Sequence, residues 1–183
     1  MYQDLSQFNA PKDYMGRPAW LAQLWWIVQG SLFLWSPQFM YGWRRFLLRL
    51  FGARIGKNVI IRPTVKIQFP WKLSIGDNSW IGDEAYLYNL SEIKIGANTV
   101  ISQRSYLCAG SHDYTKKDFP FILKPINVDD EVWVAANVFI APGVSIGKGA
   151  VVGARSSIFK DLEGGYVYVG NPAKKIKKRE ASK

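Results

Sequence analysis

From Val128 to Glu163 an aliphatic residue returns every six positions: Val128, Val134, Ile140, Ile146, Val152 and Ile158. Roughly a quarter of the chain is Val, Ile or Leu, so six straight hits in a freely chosen phase should arise by chance in about one window per thousand. Neither an amphipathic helix nor one continuous strand repeats every six residues. A short strand followed by a tight turn does, with one side chain pointing inward per strand, and three such blocks close one triangular coil of a β-solenoid. The same beat starts at Ile55 and runs through Ile61 and Ile67, then Ile75, Ile81 and Leu87, then Ile95, Ile101 and Leu107. Each of these sets begins twenty residues after the last, so each coil carries two extra residues at one corner. After Leu107 the beat pauses for 21 residues and resumes at Val128. The pattern predicts an all-β core, a parallel β-helix of about five coils, with an excursion over residues 111–125 of the kind that often lines a binding face.

Upstream of the solenoid the periodicity changes. Residues 1–18 are polar and turn-rich and read as an irregular lead-in. Pro18 to Trp43 carries no charge and includes Trp20, Trp25, Trp26 and Trp35. One helix is predicted over Trp20–Leu34, a break at Ser36-Pro37, and a second helix from about Phe39 to Phe51, stopped by Gly52. In the second helix Trp43, Phe46, Leu47, Leu50 and Phe51 form an apolar stripe, and Arg44, Arg45 and Arg49 fall on the other side as a basic face. Three roles fit such a segment: covering the open end of the solenoid, resting on the inner membrane surface, or spanning the membrane. Polar interruptions and Pro37 weigh against a span, and no basic leader or cleavage site supports a signal peptide. The chain thus divides into a helical cap over 1–52, the β-helix over 53–163 and a basic extension over 164–183.

Of a net charge of +10, the last ten residues supply half, six Lys/Arg against one Glu. That excess suits a nucleic acid, an anionic membrane or a polyphosphorylated small molecule. The first is disfavoured because aromatic and basic residues are not interleaved on one segment, which removes a stacking platform. A single cysteine, Cys108, excludes an internal disulfide and a cysteine zinc cluster and suits a reducing cytoplasm; it reads as buried filler. His112 is the only histidine. It stands at the root of the excursion, where an imidazole could take a proton from a hydroxyl nucleophile, and the adjacent Asp113 could orient the ring. One histidine per chain cannot supply a multi-histidine zinc site, so no metal is expected.

Together, the hexads, the Gly110-Ser111-His112-Asp113-Tyr114 run, and the stretch from Val132 to Gly147 resemble the hexapeptide-repeat O-acetyltransferases. The Trp-rich N-terminus and the Arg49-to-Gly56 run are most similar to the colanic-acid (exopolysaccharide) branch. The resemblance implies that the β-helix is left-handed and the protein a homotrimer with active sites between neighbouring chains. It also implies direct acetyl transfer from acetyl-CoA to a sugar hydroxyl of a polysaccharide precursor, free or lipid-linked, in the cytoplasm, with peripheral membrane contact left open. By position, His112 matches the general base. Asn89 and Tyr114 match acceptor contacts. Trp133, Ala136, Ala154, Lys160 and Lys174 match cofactor contacts, with Ala136 standing where the family often has serine and Phe159 where threonine is common. Alternatives are an acetyltransferase for an amino sugar, serine or a xenobiotic, and a non-catalytic scaffold.

Overall fold

Each inward position of the hexad beat becomes the buried residue of a two- or three-residue strand, and strands one coil apart pair in parallel. In the computed structural model, which describes residues 1–180, Ile55 pairs with Ile75, Ile75 with Ile95, Ile95 with Val128 and Val128 with Ile146 on face A of the solenoid. Face B stacks Ile61, Ile81, Ile101, Val134 and Val152, and face C stacks Ile67, Leu87, Leu107, Ile140 and Ile158. All fifteen of these side chains are buried, and they fill a left-handed triangular prism. Five coils are complete. A sixth is begun by Leu162, which bridges Ile146, and by Tyr166–Gly170, which extends face B and turns back as the antiparallel strand Ala173–Lys178. The hexad beat does not announce this last rung because the step from Ile158 to Leu162 is four residues where six or eight is the rule, after which Tyr168 follows Leu162 by six.

Corners hold the coils in register. Asn58, Asn78 and Asn98 take left-handed backbone angles at the corner between faces A and B, a conformation that asparagine tolerates better than most residues. Just before Asn78, a Cβ on Gly76 would come within 2.5 Å of the Ala97 nitrogen in the next coil, so only glycine permits that stacking distance. The two-residue insertions fall at the corner between faces C and A in the first two coils. The long excursion leaves the same corner in the third, so all the irregular backbone lies along one edge of the prism.

The N-terminal segment contains helix α1 (Ala19–Val28), continued by one wide turn through Phe33, and helix α2 (Tyr41–Leu50). Both lie across the end of the first coil. There alternate carbonyl oxygens of the first coil, those of Ile55, Val59, Ile61 and Ile67, face away from the second coil and have no neighbouring coil to donate to them. The helices supply the donors. Arg44 donates to Ile61 O at 2.6 Å, Arg45 to Val59 O at 2.9 Å and Arg49 to Ile55 O at 2.7 Å, while Trp25 Nε1 reaches Ile67 O at 2.8 Å. The predicted orientation of α2 holds only in part. Leu47 and Phe51 of the apolar stripe are buried in the core, but Arg44 is fully buried beside them, whereas Phe46 and Leu50 point to solvent. Unpaired carbonyls attract guanidinium groups strongly, so Arg44 and Arg45 turn toward the coil. Arg44 uses its remaining donors on Ser36 Oγ, Pro37 O and Gln38 O, and burial draws its pKa down from the ordinary guanidinium value.

Candidate active site

The excursion is a hairpin. Gly110–His112 pairs antiparallel with Phe121–Leu123, placing His112 opposite Phe121 at its outer end. The imidazole stacks on Phe119 with centroids 4.2 Å apart and planes 10° apart, and it is flanked by Phe121 at 4.8 Å and Phe8 at 5.6 Å. Its Nδ1 lies 2.8 Å from Phe119 O. A carbonyl can only accept, so the proton sits on Nδ1 and the lone pair on Nε2, the tautomer a general base requires. Phe119 holds that carbonyl in place from a left-handed backbone, φ 50°, an uncommon state for a bulky residue and one that tends to occur at functional positions.

The partner that orients the ring is therefore Phe119 O and not Asp113. The Asp113 carboxylate accepts from Thr115 N at 3.0 Å and Thr115 Oγ1 at 2.5 Å, which holds its pKa below the usual carboxylate range. Its work is to brace the loop, because neighbouring residues on a strand point to opposite sides. Tyr114 projects from the same loop and is exposed. Residues 1–18, predicted as an irregular lead-in, contribute a wall to the site: Asp4 N donates to Lys117 O, Phe8 packs on Phe121, and Tyr14 packs on both Phe121 and Phe69. Tyr86, Tyr88 and Tyr106 line face C. Burial pushes all three phenols above their ordinary pKa, so none can serve as a base near neutrality.

Asn89 is fully buried, and its amide is spent on the main chain. Its Oδ1 accepts from Gln68 N and Phe69 N, at 3.1 and 2.9 Å, and its Nδ2 donates to Phe69 O at 2.6 Å. It pins the widened corner of the first coil, and in this structure it is not placed to touch an acceptor. We expect Asn89→Ala to lower folding stability by about 2 kcal/mol, read as a shift in the urea midpoint. A rise in the acceptor KM at unchanged stability would instead make it a binding residue.

The remaining positions fall into two groups. Lys160 is exposed at the C/A corner of the fifth coil, on the same edge as His112. Trp133 stands half-exposed on face B, and Ala136 and Ala154 follow at the corner between faces B and C. In a three-sided coil face B lies opposite the C/A edge, so one chain does not bring His112 and Trp133 together. Lys174 is exposed on the final strand, paired with Val169 beyond the last full coil. Trp133 Nε1 donates to Ser102 Oγ at 3.1 Å, and Ser102 lines a groove of about 600 Å³ that continues toward the capped end past Trp80, Arg104 and the Arg62–Asp83 ion pair, 2.7 Å long.

No family model matches the chain. It is 58% identical over 177 residues, 97% of both chains, to WcaF of Escherichia coli (strain K12), a protein named as a colanic acid biosynthesis acetyltransferase. The chain belongs to that acetyltransferase family. It is an acyltransferase of the hexapeptide-repeat type. It is also 28% identical over 137 residues, 73% of this chain and 68% of the other, to the galactoside O-acetyltransferase of the same organism. The fold of this acetyltransferase recurs in a maltose O-acetyltransferase from Clostridium difficile 630, with a TM-score of 0.82 at 23% identity over 94% of this chain and 100% of that one. It recurs again in a hexapeptide-repeat acetyltransferase from Vibrio cholerae solved with acetyl coenzyme A, with a TM-score of 0.77 at 24% identity over 88% and 86%.

Proposed function

We propose that this chain transfers an acetyl group from acetyl-CoA to a sugar hydroxyl of an exopolysaccharide precursor, in clefts formed between copies of the chain in a trimer, on the cytoplasmic side of the membrane. The observation that carries this reading is the imidazole of His112, fixed by Phe119 O with Nε2 free, on the edge opposite Trp133 and away from Ala136 and Ala154. A heterologous three-fold ring sets one copy's C/A edge against its neighbour's B/C side and so unites the two groups three times. The similarity to WcaF supports the polysaccharide acceptor, and the acetyl-CoA complex of the Vibrio cholerae protein supports the donor.

The carrier fits along the prism. Coils stack about 4.8 Å apart, so His112 in the third coil and the basic strand beyond the fifth are on the order of 15 Å apart, a span that suits an extended pantetheine arm. Trp133 offers it an apolar face midway, the small side chains of Ala136 and Ala154 leave room beside it, and Lys160 and Lys174 meet the phosphates. In the reaction the sugar hydroxyl gives its proton to His112 Nε2 while its oxygen bonds to the thioester carbonyl carbon. The carbon–sulfur bond then breaks, and the thiol leaves with that proton. The groove beside Trp80 and Arg104, on the capped side of Trp133, is where the acceptor enters.

Subunit mixing tests the composite site. His112→Ala disables one wall and Ala154→Trp blocks the other, so each homotrimer should be nearly inactive. Random co-assembly of equal amounts should restore about a quarter of wild-type activity, the fraction of clefts formed from two intact walls. No recovery in verified mixed trimers would place the whole site within one chain.

A further inference from the structure

Arg44 and Arg45 of α2 are turned toward the solenoid, and Arg49 is exposed at the rim. The outer face of the cap is apolar. On α1 Trp20, Leu24 and Ile27 point away from the solenoid, and on α2 Phe46 and Leu50 do the same. The connection between the helices adds Trp35, 81% exposed, and Phe39, 79% exposed. This surface spans the whole end of the prism. Solvent-facing apolar patches of this extent ordinarily mark an interaction site.

Charge identifies the occupant. From Tyr14 to Gly76 the chain has nine Lys/Arg and no Asp or Glu, and Arg17, Arg49, Arg54 and Lys57 are exposed there. A second copy of the same end would bring basic residues against basic residues. An anionic bilayer offers the complement, acyl chains for the aromatics and phosphate headgroups for the surrounding cations, and tryptophan is the side chain most at home at that depth. Among the described residues no helix is long and apolar enough to cross a membrane, so contact would be in the plane of the surface.

We propose that the outer face of the N-terminal cap docks this acetyltransferase onto an anionic lipid surface. The groove flanked by Trp80 and Arg104 opens in the first three coils, next to this face, so docking presents it to a saccharide carried on lipid. That last step rests on the acceptor reading above; the docking does not.

Sedimentation of the full-length protein with vesicles tests the proposal. Wild type should pellet with phosphatidylglycerol-containing vesicles and stay largely in the supernatant with phosphatidylcholine alone. Trp35→Ser/Phe39→Ser removes two exposed side chains that line no groove. It should lose at least about tenfold in partition, with the thermal midpoint, the oligomeric mass and acetyl transfer to a soluble sugar unchanged. Wild type that remains in the supernatant with anionic vesicles, or a double variant that pellets as wild type does, would overturn docking. So would a double variant whose mass by light scattering falls, since the face would then join copies of the chain. His112→Ala should pellet normally, and normal pelleting by an enzyme that acetylates no sugar would sink the functional reading and leave docking supported.

Discussion

Replacing His112 with alanine should lower kcat for acetyl transfer by at least about 100-fold, the usual cost of removing a general base, while the KM for acetyl-CoA and the thermal midpoint move little. The three tyrosines nearby are held protonated by burial and Asp113 is committed to Thr115, so no neighbour can substitute. The stability expectation follows from position: His112 lies at the outer end of a surface hairpin and contributes nothing to the prism core. Steady-state kinetics with the free thiol as the reporter separates the two parameters. A variant that keeps more than a fifth of wild-type kcat would remove His112 from the mechanism.

The second large effect concerns folding. Arg44→Met keeps the volume but leaves Ile61 O, Pro37 O, Gln38 O and Ser36 Oγ without their donor. Several buried acceptors lose a partner at once, so we expect a loss of about 4 kcal/mol, read from the urea midpoint at fixed protein concentration. Arg49→Met removes bonds to Ile55 O and Gly56 O at the exposed rim, where water replaces them, and should cost below about 1 kcal/mol. Equal effects at the two positions would mean that the carbonyl cap does not govern the end of the solenoid.

The core was legible because its rule is one-dimensional. Every aliphatic residue placed inward by the six-residue beat, from Ile55 to Ile158, is buried, and the pauses in the beat mark the irregular edge. Arg44 and Arg45 of α2 face the coil, against their pattern, for a physical reason. Amphipathic patterning assumes that charge seeks water, yet the first coil of a parallel stack offers a ring of unpaired carbonyls that compete successfully for it. Asn89 failed similarly, since nothing in a sequence says whether a polar side chain at a corner faces a ligand or the main chain one coil back. The roles of Phe119 and Phe8 had no sequence signal at all: one acts through a backbone oxygen and an uncommon φ, the other through a segment more than a hundred residues away. That His112 belongs to the excursion could be read in advance, but not that the excursion is a hairpin with His112 at its outer end, opposite Phe121.

The bond from Nδ1 of His112 to Phe119 O has an evolutionary corollary. A main-chain oxygen survives any replacement of the side chain that bears it, so long as the new residue tolerates the left-handed turn. Under the proposed mechanism, exposed Tyr114 can therefore change to suit a new saccharide without disturbing where the imidazole keeps its proton.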